Sequence, residues 1–318
     1  MPNRDDKIND LIFKQFIQRG FKHEGRSRIW DIADSKLWYL SPKQAQGFLD
    51  LEKSQDYKNE VIEKEISIIK LNINEILASF PSKNLNLIDL GCGDGKKAAL
   101  IIKELRIHSF RTRYCPIDIS SYMVNKAAQT IKSLKLSKVL EFTWNVSDFE
   151  NLDNITPLLR DKEFNKSIIL LLGNTLGNFN NPEILSNIKK SMQKNDTLVI
   201  GNGLQHASKQ GMLKSYQNAH IERFLIQVIE QAGVSRSEVK YNARFRNSRV
   251  EMCYTLLKDK KITHLGKTLH LKKSDNIIIA ISYKYSQEEL YNALKNFFKT
   301  VKIYTDKQET YALAVCKK

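Results

Sequence analysis

The sequence predicts an α/β fold, a doubly wound parallel sheet with an α+β lobe inserted late in the chain. Three observations predict it. Apolar runs of strand length alternate with helical periodicity from about residue 66 to residue 205. The first of those runs, Leu87-Ile88-Asp89-Leu90, ends in glycines at 91, 93 and 95. Four β-rich runs between 239 and 283 then break the alternation before a helix and a hairpin close the chain.

Taken in order, residues 1–65 read as helical and aromatic-rich, with Trp30, Trp38, Tyr39 and Tyr57 at intervals. A helix over Ile66–Phe80 leads into the first core strand and its glycine turn. Ala98, Leu100, Ile101, Ile102 and Leu105 mark the helix after the turn. Tyr114–Ile117 is a second strand ending on Asp118, followed by a helix over Tyr122–Leu134. Val139–Trp144 is a third strand, and Ser167–Leu172 is apolar enough to be buried on both faces. Pro182-Glu183 opens another helix, and Thr197–Ile200 is a fifth strand. One long helix is expected over about 208–232. Val239–Phe245, Arg249–Leu257, Thr268–Leu271 and Ile277–Tyr283 are the strands of the inserted lobe. Ser286 and Glu289 form a capping box for a helix reaching Phe298, and Thr300–Tyr304 pairs with Glu309–Val315.

Strand, glycine turn, helix is a geometry that lets a nucleotide-like ligand approach backbone N–H groups, although a tight turn without a ligand has the same pattern. An acid at the end of the second strand, roughly 20 residues on, is placed to accept hydrogen bonds from ribose hydroxyls. A dinucleotide fingerprint needs glycine at position 96, where this chain has lysine, and no G-x-x-x-x-G-K-[ST] is present.

Composition bounds the rest. The chain has 318 residues, 42% of them hydrophobic, which is enough for one large domain or two smaller ones. No window approaches 18 uninterrupted apolar residues, and Met1–Lys7 is polar and mixed in charge. A cytoplasmic protein without membrane partners is expected. Four cysteines without a C-x-x-C do not make a disulfide framework, and six scattered histidines without an H-x-x-x-H pair give no metal site. The net charge of +16 admits a nucleic-acid partner, but the lysines are spread along the whole length rather than gathered in a stripe. Nucleic acid is therefore not the expected partner.

Asp89–Lys97 resembles the first motif of class I (Rossmann-like) S-adenosylmethionine (SAM)-dependent methyltransferases. With Cys115–Ser120, Leu171-Leu172-Gly173-Asn174-Thr175-Leu176-Gly177-Asn178-Phe179 and Arg249–Met252, it resembles the histidine-specific methyltransferase family, which methylates the α-amino group of free histidine. The resemblance implies SAM as cofactor, a small amino-acid substrate, and a substrate lobe built from 1–65 and 206–283 around a methyltransferase core of 66–205 and 284–318. A monomer is expected.

By the same resemblance Gly91, Gly93, Lys97, Asp118, Asp148 and Phe149 hold the cofactor, the last two bracketing adenine. Tyr57 and Asn178 are the catalytic pair that holds the amino-acid backbone, joined by Tyr216. Packed core tyrosines and a turn asparagine are the local alternatives for these three. Glu251 is the acid that meets the substrate ring, and Cys253 stands where the family often has a hydroxyl. A glutamate inside an apolar strand is either buried with a partner or on an exposed alternating face. A methyltransferase acting on RNA or protein, docked through its basic surface, is the alternative activity.

Overall fold

The computed structural model describes residues 8–78, 83–142, 145–147, 149, 152–179, 181–205 and 209–318. The chain divides into two compact units, Met1–Leu51 with Ala207–Tyr283 and Glu52–His206 with Lys284–Lys318. The N-terminal part therefore ends at Leu51 rather than at residue 65. The reason is local: Val61 is buried in the core of the second unit, and Tyr57 packs against that core.

In chain order, β1 (Lys22–Glu24) and β2 (Ser27–Asp31) belong to the first unit. The second unit takes β3 (Asn84–Leu90), β4 (Arg111–Ile117), β5 (Ser137–Val139), β6 (Ser167–Leu171) and β7 (Thr197–Gly203). The chain returns to the first unit for β8 (Val239–Arg246), β9 (Arg249–Leu256), β10 (Lys260–His264), β11 (Lys267–Leu271) and β12 (Asn276–Tyr283). Finally β13 (Thr300–Thr305) and β14 (Tyr311–Lys317) complete the second.

In the second unit seven strands run in the order β13-β14-β7-β6-β3-β4-β5. β3 to β7 are parallel, whereas β14 lies antiparallel to β7 and to β13. Side chains alternate across the sheet: Leu85 and Leu87 enter one core layer and Ile88 and Leu90 the other. Helices Glu63–Ala78, Lys96–Ile107 and Ser121–Leu134 supply apolar stripes to the first layer. Asn181–Ser191 and Gln287–Lys295 supply the second. Burial on both faces is why these strands read as largely apolar runs rather than alternating ones. Strand order turns around at β3, with β4 on one side and β6 on the other, so a crevice opens at the carboxyl ends of those strands.

In the first unit five strands run β1-β2-β12-β9-β8, and β10 and β11 form a separate hairpin. The β1–β2 hairpin falls inside a segment expected to be helical. Gly25 at φ 59° makes its turn, and β2 gains a parallel ladder with β12, a pairing too distant for local periodicity to report. The expected helix over 208–232 is two, Lys209–Tyr216 and Ala219–Gln231. Asn218 separates them, accepting from the His220 and Ile221 amides as the cap of the second. The third core strand is Ser137–Val139 and shares only Val139 with the expected Val139–Trp144; residues 140–142 are not in a strand, and Thr143 and Trp144 lie outside the described residues. Among the described residues, no helix is long and apolar enough to cross a membrane.

Candidate functional site

The candidate crevice is built at the carboxyl ends of β3, β4 and β6. Gly91, Gly93 and Gly95 adopt φ of 69°, 53° and 76°, a region that costs any side chain about 1–2 kcal/mol. Their roles differ. A Cβ on Gly95 would stand 2.8 Å from the Ala127 Cα, so this glycine lets helix Ser121–Leu134 close on the turn. Thr130 completes that contact by donating its hydroxyl to the Asp94 carbonyl at 2.7 Å. A Cβ on Gly93 would meet nothing within 4 Å, and one on Gly91 would touch Thr175 and Phe149 at 3.5 and 3.9 Å. The turn is closed toward the helix and open on its other side. That opening leaves room for the nucleoside part of SAM, although the Gly91, Cys92 and Gly93 amides already donate within the protein.

Asp118 directly follows β4 and is 8% exposed. Its Oδ1 accepts from the Ser120 amide at 2.9 Å and its Oδ2 from the Gly93 amide at 3.4 Å. Burial pushes its carboxyl up to about 6, and those two hydrogen bonds offset only part of the shift. Asp89, one residue before the end of β3, is also pushed up to about 6 by burial, while the Tyr114 hydroxyl donates to it at 2.8 Å. Asn145–Ser147 is tied to Asp118 by backbone bonds, Asp118 N to Asn145 O and Ser147 N to Asp118 O. Asp148, the expected adenine acceptor, lies outside the described residues. Phe149 is half-buried, and its ring meets that of Phe179 at 5.5 Å between centroids.

The third wall is Gly173–Phe179. Gly173 and Asn174 take positive φ, and Asn174 Oδ1 accepts from the Gly203 amide, linking this loop to β7. Thr175 donates its hydroxyl back to the Leu172 carbonyl at 2.6 Å. Asn178 ends the short 3-10 turn Thr175–Asn178, half-buried, directly before Phe179. Tyr57 is half-buried and is followed by a single π-helical turn, Lys58–Ile62. Such turns recur at functional sites.

Lys97, the second residue of helix Lys96–Ile107, does not stand alone. Its ammonium is 3.5 Å from Glu65 and 4.0 Å from Glu52. Burial works to lower its pKa, and the carboxylates of Glu65, Glu52 and Asp89 outweigh that and raise it. Glu65 escaped the sequence reading. The available signal was its spacing: it falls on the stripe of Val61, Ile68 and Ile69, where a charge is out of place. Thr175 and Phe179 were also missed as crevice residues, though both lie in the segment that carried the resemblance.

In the first unit Glu251 is 2% exposed, so the buried alternative holds. Its partners are two arginines. Arg244 Nε donates to one oxygen at 2.7 Å, and Arg249 Nε and Nη2 donate to the other at 3.0 and 2.7 Å. Arg249 also reaches Asp31 at 3.1 Å. Cys253, two residues on, shares the Glu251 face of the sheet, and burial raises its thiol to about 11. Tyr216 is elsewhere. Its hydroxyl bonds Ser282 at 3.1 Å, and Ser282 pairs with Val250, so it belongs to the opposite face from Glu251. Glu251 and Cys253 are brought together, and the Tyr216 hydroxyl is not placed with them. Among the described residues no group of His, Cys, Asp or Glu could hold a metal ion.

The chain resembles known proteins at three levels. Over 172 residues it is 22% identical to the N-methyltransferase fsqC of Aspergillus fumigatus, a match covering 53% of this chain and 46% of that one. The chain thus matches about half the length of that curated relative. Among solved structures, a S-adenosylmethionine-dependent methyltransferase from Clostridium acetobutylicum ATCC 824 is 12% identical with a TM-score of 0.48, over 86% of this chain and 98% of that one. Human N-acetylserotonin methyltransferase in complex with SAM is 11% identical with a TM-score of 0.38, over 85% and 58%. Residues 46–318 match the model of the histidine-specific, SAM-dependent methyltransferases. With a Rossmann-like sheet and a glycine turn open at its carboxyl end, the chain belongs to that family and is a SAM-dependent methyltransferase.

Proposed function

We propose that the protein transfers a methyl group from SAM to the α-amino group of a free amino acid, with L-histidine the first candidate. The observation that carries this reading is the convergence of three segments on one crevice. They are the Gly91–Gly95 turn, Asp118, and the Gly173–Phe179 loop that ends in Asn178 and Phe179. The first two suit a nucleoside, and the third adds an amide and an aromatic ring beside it.

Bound SAM supplies an electrophilic methyl group, so the chain needs no nucleophile of its own. Asp118 is the acceptor for the sugar hydroxyls, oriented by the Gly93 and Ser120 amides. Phe149 and Phe179 exclude water from the base. Asn178 and Tyr57 orient the substrate amine, which must reach the methyl group without its extra proton, because an ammonium has no lone pair. Tyr216, Glu251 and Cys253 are the proposed specificity residues. A carboxylate has about four lone-pair sites. The two arginines occupy three on Glu251, leaving capacity for one ring N–H.

The test is incubation with methyl-labelled SAM and a panel of free amino acids. Label in histidine above all others supports the reading. Label in none of the free amino acids rejects it.

A further inference from the structure

Glu65 is 0% exposed, yet it brings a carboxyl group into the core of the second unit. One oxygen is satisfied twice, by the Gly173 amide at 2.9 Å and the Tyr311 hydroxyl at 2.6 Å. The other, Oε2, has no hydrogen-bond partner. It faces the Lys97 ammonium at 3.5 Å, longer than a usual charge-assisted hydrogen bond. A buried carboxylate oxygen left in this condition is costly and calls for a reason.

The surroundings are shaped for the pair. A Cβ on Gly201 would stand 1.7 Å from Glu65 Oε1, and one on Gly173 would stand 2.4 Å from Lys97 Nζ. Both glycines leave room that any other residue would fill. Lys97 is 23% exposed while Glu65 is sealed, so the ammonium is the outward end. It meets Glu65 and Glu52 at 3.5 and 4.0 Å, and an ammonium has three donors, so it has capacity for a closer acceptor as well. Three carboxylates, Glu52, Glu65 and Asp89, act on this one lysine and keep it protonated.

We propose that Glu65 is a positioning residue: it holds Lys97 as a half-buried ammonium beside Gly173, aimed to receive the α-carboxylate at the amino-acid end of SAM. Through the Gly173 amide the same carboxylate fixes the loop that carries Asn178. The cofactor tail is favoured over a free amino acid because Lys97 stands on the helix that follows the glycine turn. The inference rests on SAM use and on the crevice described above, and not on the choice of histidine.

The experiment is calorimetric binding to the full chain of SAM and of an analogue lacking the α-carboxylate. The wild-type protein is expected to prefer SAM by about tenfold or more. Glu65→Gln should cut SAM affinity about tenfold and change analogue affinity by less than about twofold, and Lys97→Met should do the same. Because Glu65 acts through Lys97, the double variant should lose no more than about twofold beyond Lys97→Met. Should Glu65→Gln not fold, Tyr311→Phe removes one hydrogen bond from the carboxylate and should weaken SAM selectively by about threefold. Equal losses for both compounds, fully multiplying losses in the double variant, or a wild type blind to the tail would overturn the proposal. So would a change confined to the KM for histidine, which assigns the pair to the substrate. Intact tail discrimination without histidine methylation supports the proposal and rejects only the acceptor.

Discussion

Asp118 accepts the Gly93 amide proton at 3.4 Å, tying the acid directly after β4 to the glycine turn that follows β3. A single carboxylate thereby sets the turn and presents itself at the crevice. Asp118→Ala should lower SAM affinity by about 10- to 100-fold while leaving the fold intact, because each lost charge-assisted hydrogen bond costs about 1.5–3 kcal/mol. Calorimetric titration checks this, and unchanged affinity removes Asp118 from the cofactor site.

The raised pKa of Asp118 has a signed consequence for stability. In the folded state its carboxyl titrates near 6, against about 3.9 in an unfolded chain. The folded protein thus holds this proton more tightly, and the associated stability is present at low pH and lost as pH rises from about 4 to about 6. Asp118→Asn should flatten the dependence of melting temperature on pH in that window. A variant with the wild-type slope contradicts it. SAM binding should follow the opposite course, strengthening above about pH 6 as the carboxylate forms.

The three glycines of the turn should separate stability from binding. Gly95→Ala drives a Cβ to 2.8 Å from backbone of the neighbouring helix, and overpacking of this kind costs about 1–3 kcal/mol in addition to the φ penalty. Gly93→Ala meets open space and should cost only about 1–2 kcal/mol. If the opening receives the nucleoside, Gly93→Ala should nonetheless weaken SAM binding by about tenfold or more. Thermal melts and titrations on both variants give the comparison, and full SAM affinity in Gly93→Ala contradicts it.

Glu251 should govern the choice of substrate rather than the grip on SAM. Glu251→Gln keeps the shape but breaks the balance with Arg244 and Arg249, and should destabilise the first unit by about 3 kcal/mol or more. Its SAM affinity should remain within about twofold, while the ratio of kcat/KM for histidine to that for other amino acids falls about tenfold. Cys253→Ser, which restores a stronger donor beside Glu251, should lower the KM for histidine several-fold. An unaltered preference in both variants removes this pair from substrate recognition.

Much of the second unit was legible because its strands are covered on both faces: Leu85 to Leu90 and Ser167 to Leu171 carry the apolar signal whatever surrounds them. Gly91, Gly93 and Gly95 were legible because positive φ favours glycine, and three glycines at alternating positions mark such a turn. The β1–β2 hairpin was not, since its pairing with β12 reaches across about 250 residues and its own residues are mostly polar. Glu65 hid as one acid among Glu60, Glu63 and Glu65; only its packed position distinguishes it from a solvated face. The identity of the partners of Glu251 was equally invisible, because Arg244 reaches it across the β8–β9 ladder and Arg249 along the same strand face. Local sequence reports burial and turns, whereas the pairing of charges depends on the finished sheet.

The most direct measurement is fragmentation mass spectrometry of L-histidine recovered after incubation with the protein and SAM. The predicted result is methylation on the α-nitrogen, with the demethylated cofactor released in equal amount. Recovered histidine that is unmodified, or methylated on its ring, contradicts the proposed reaction.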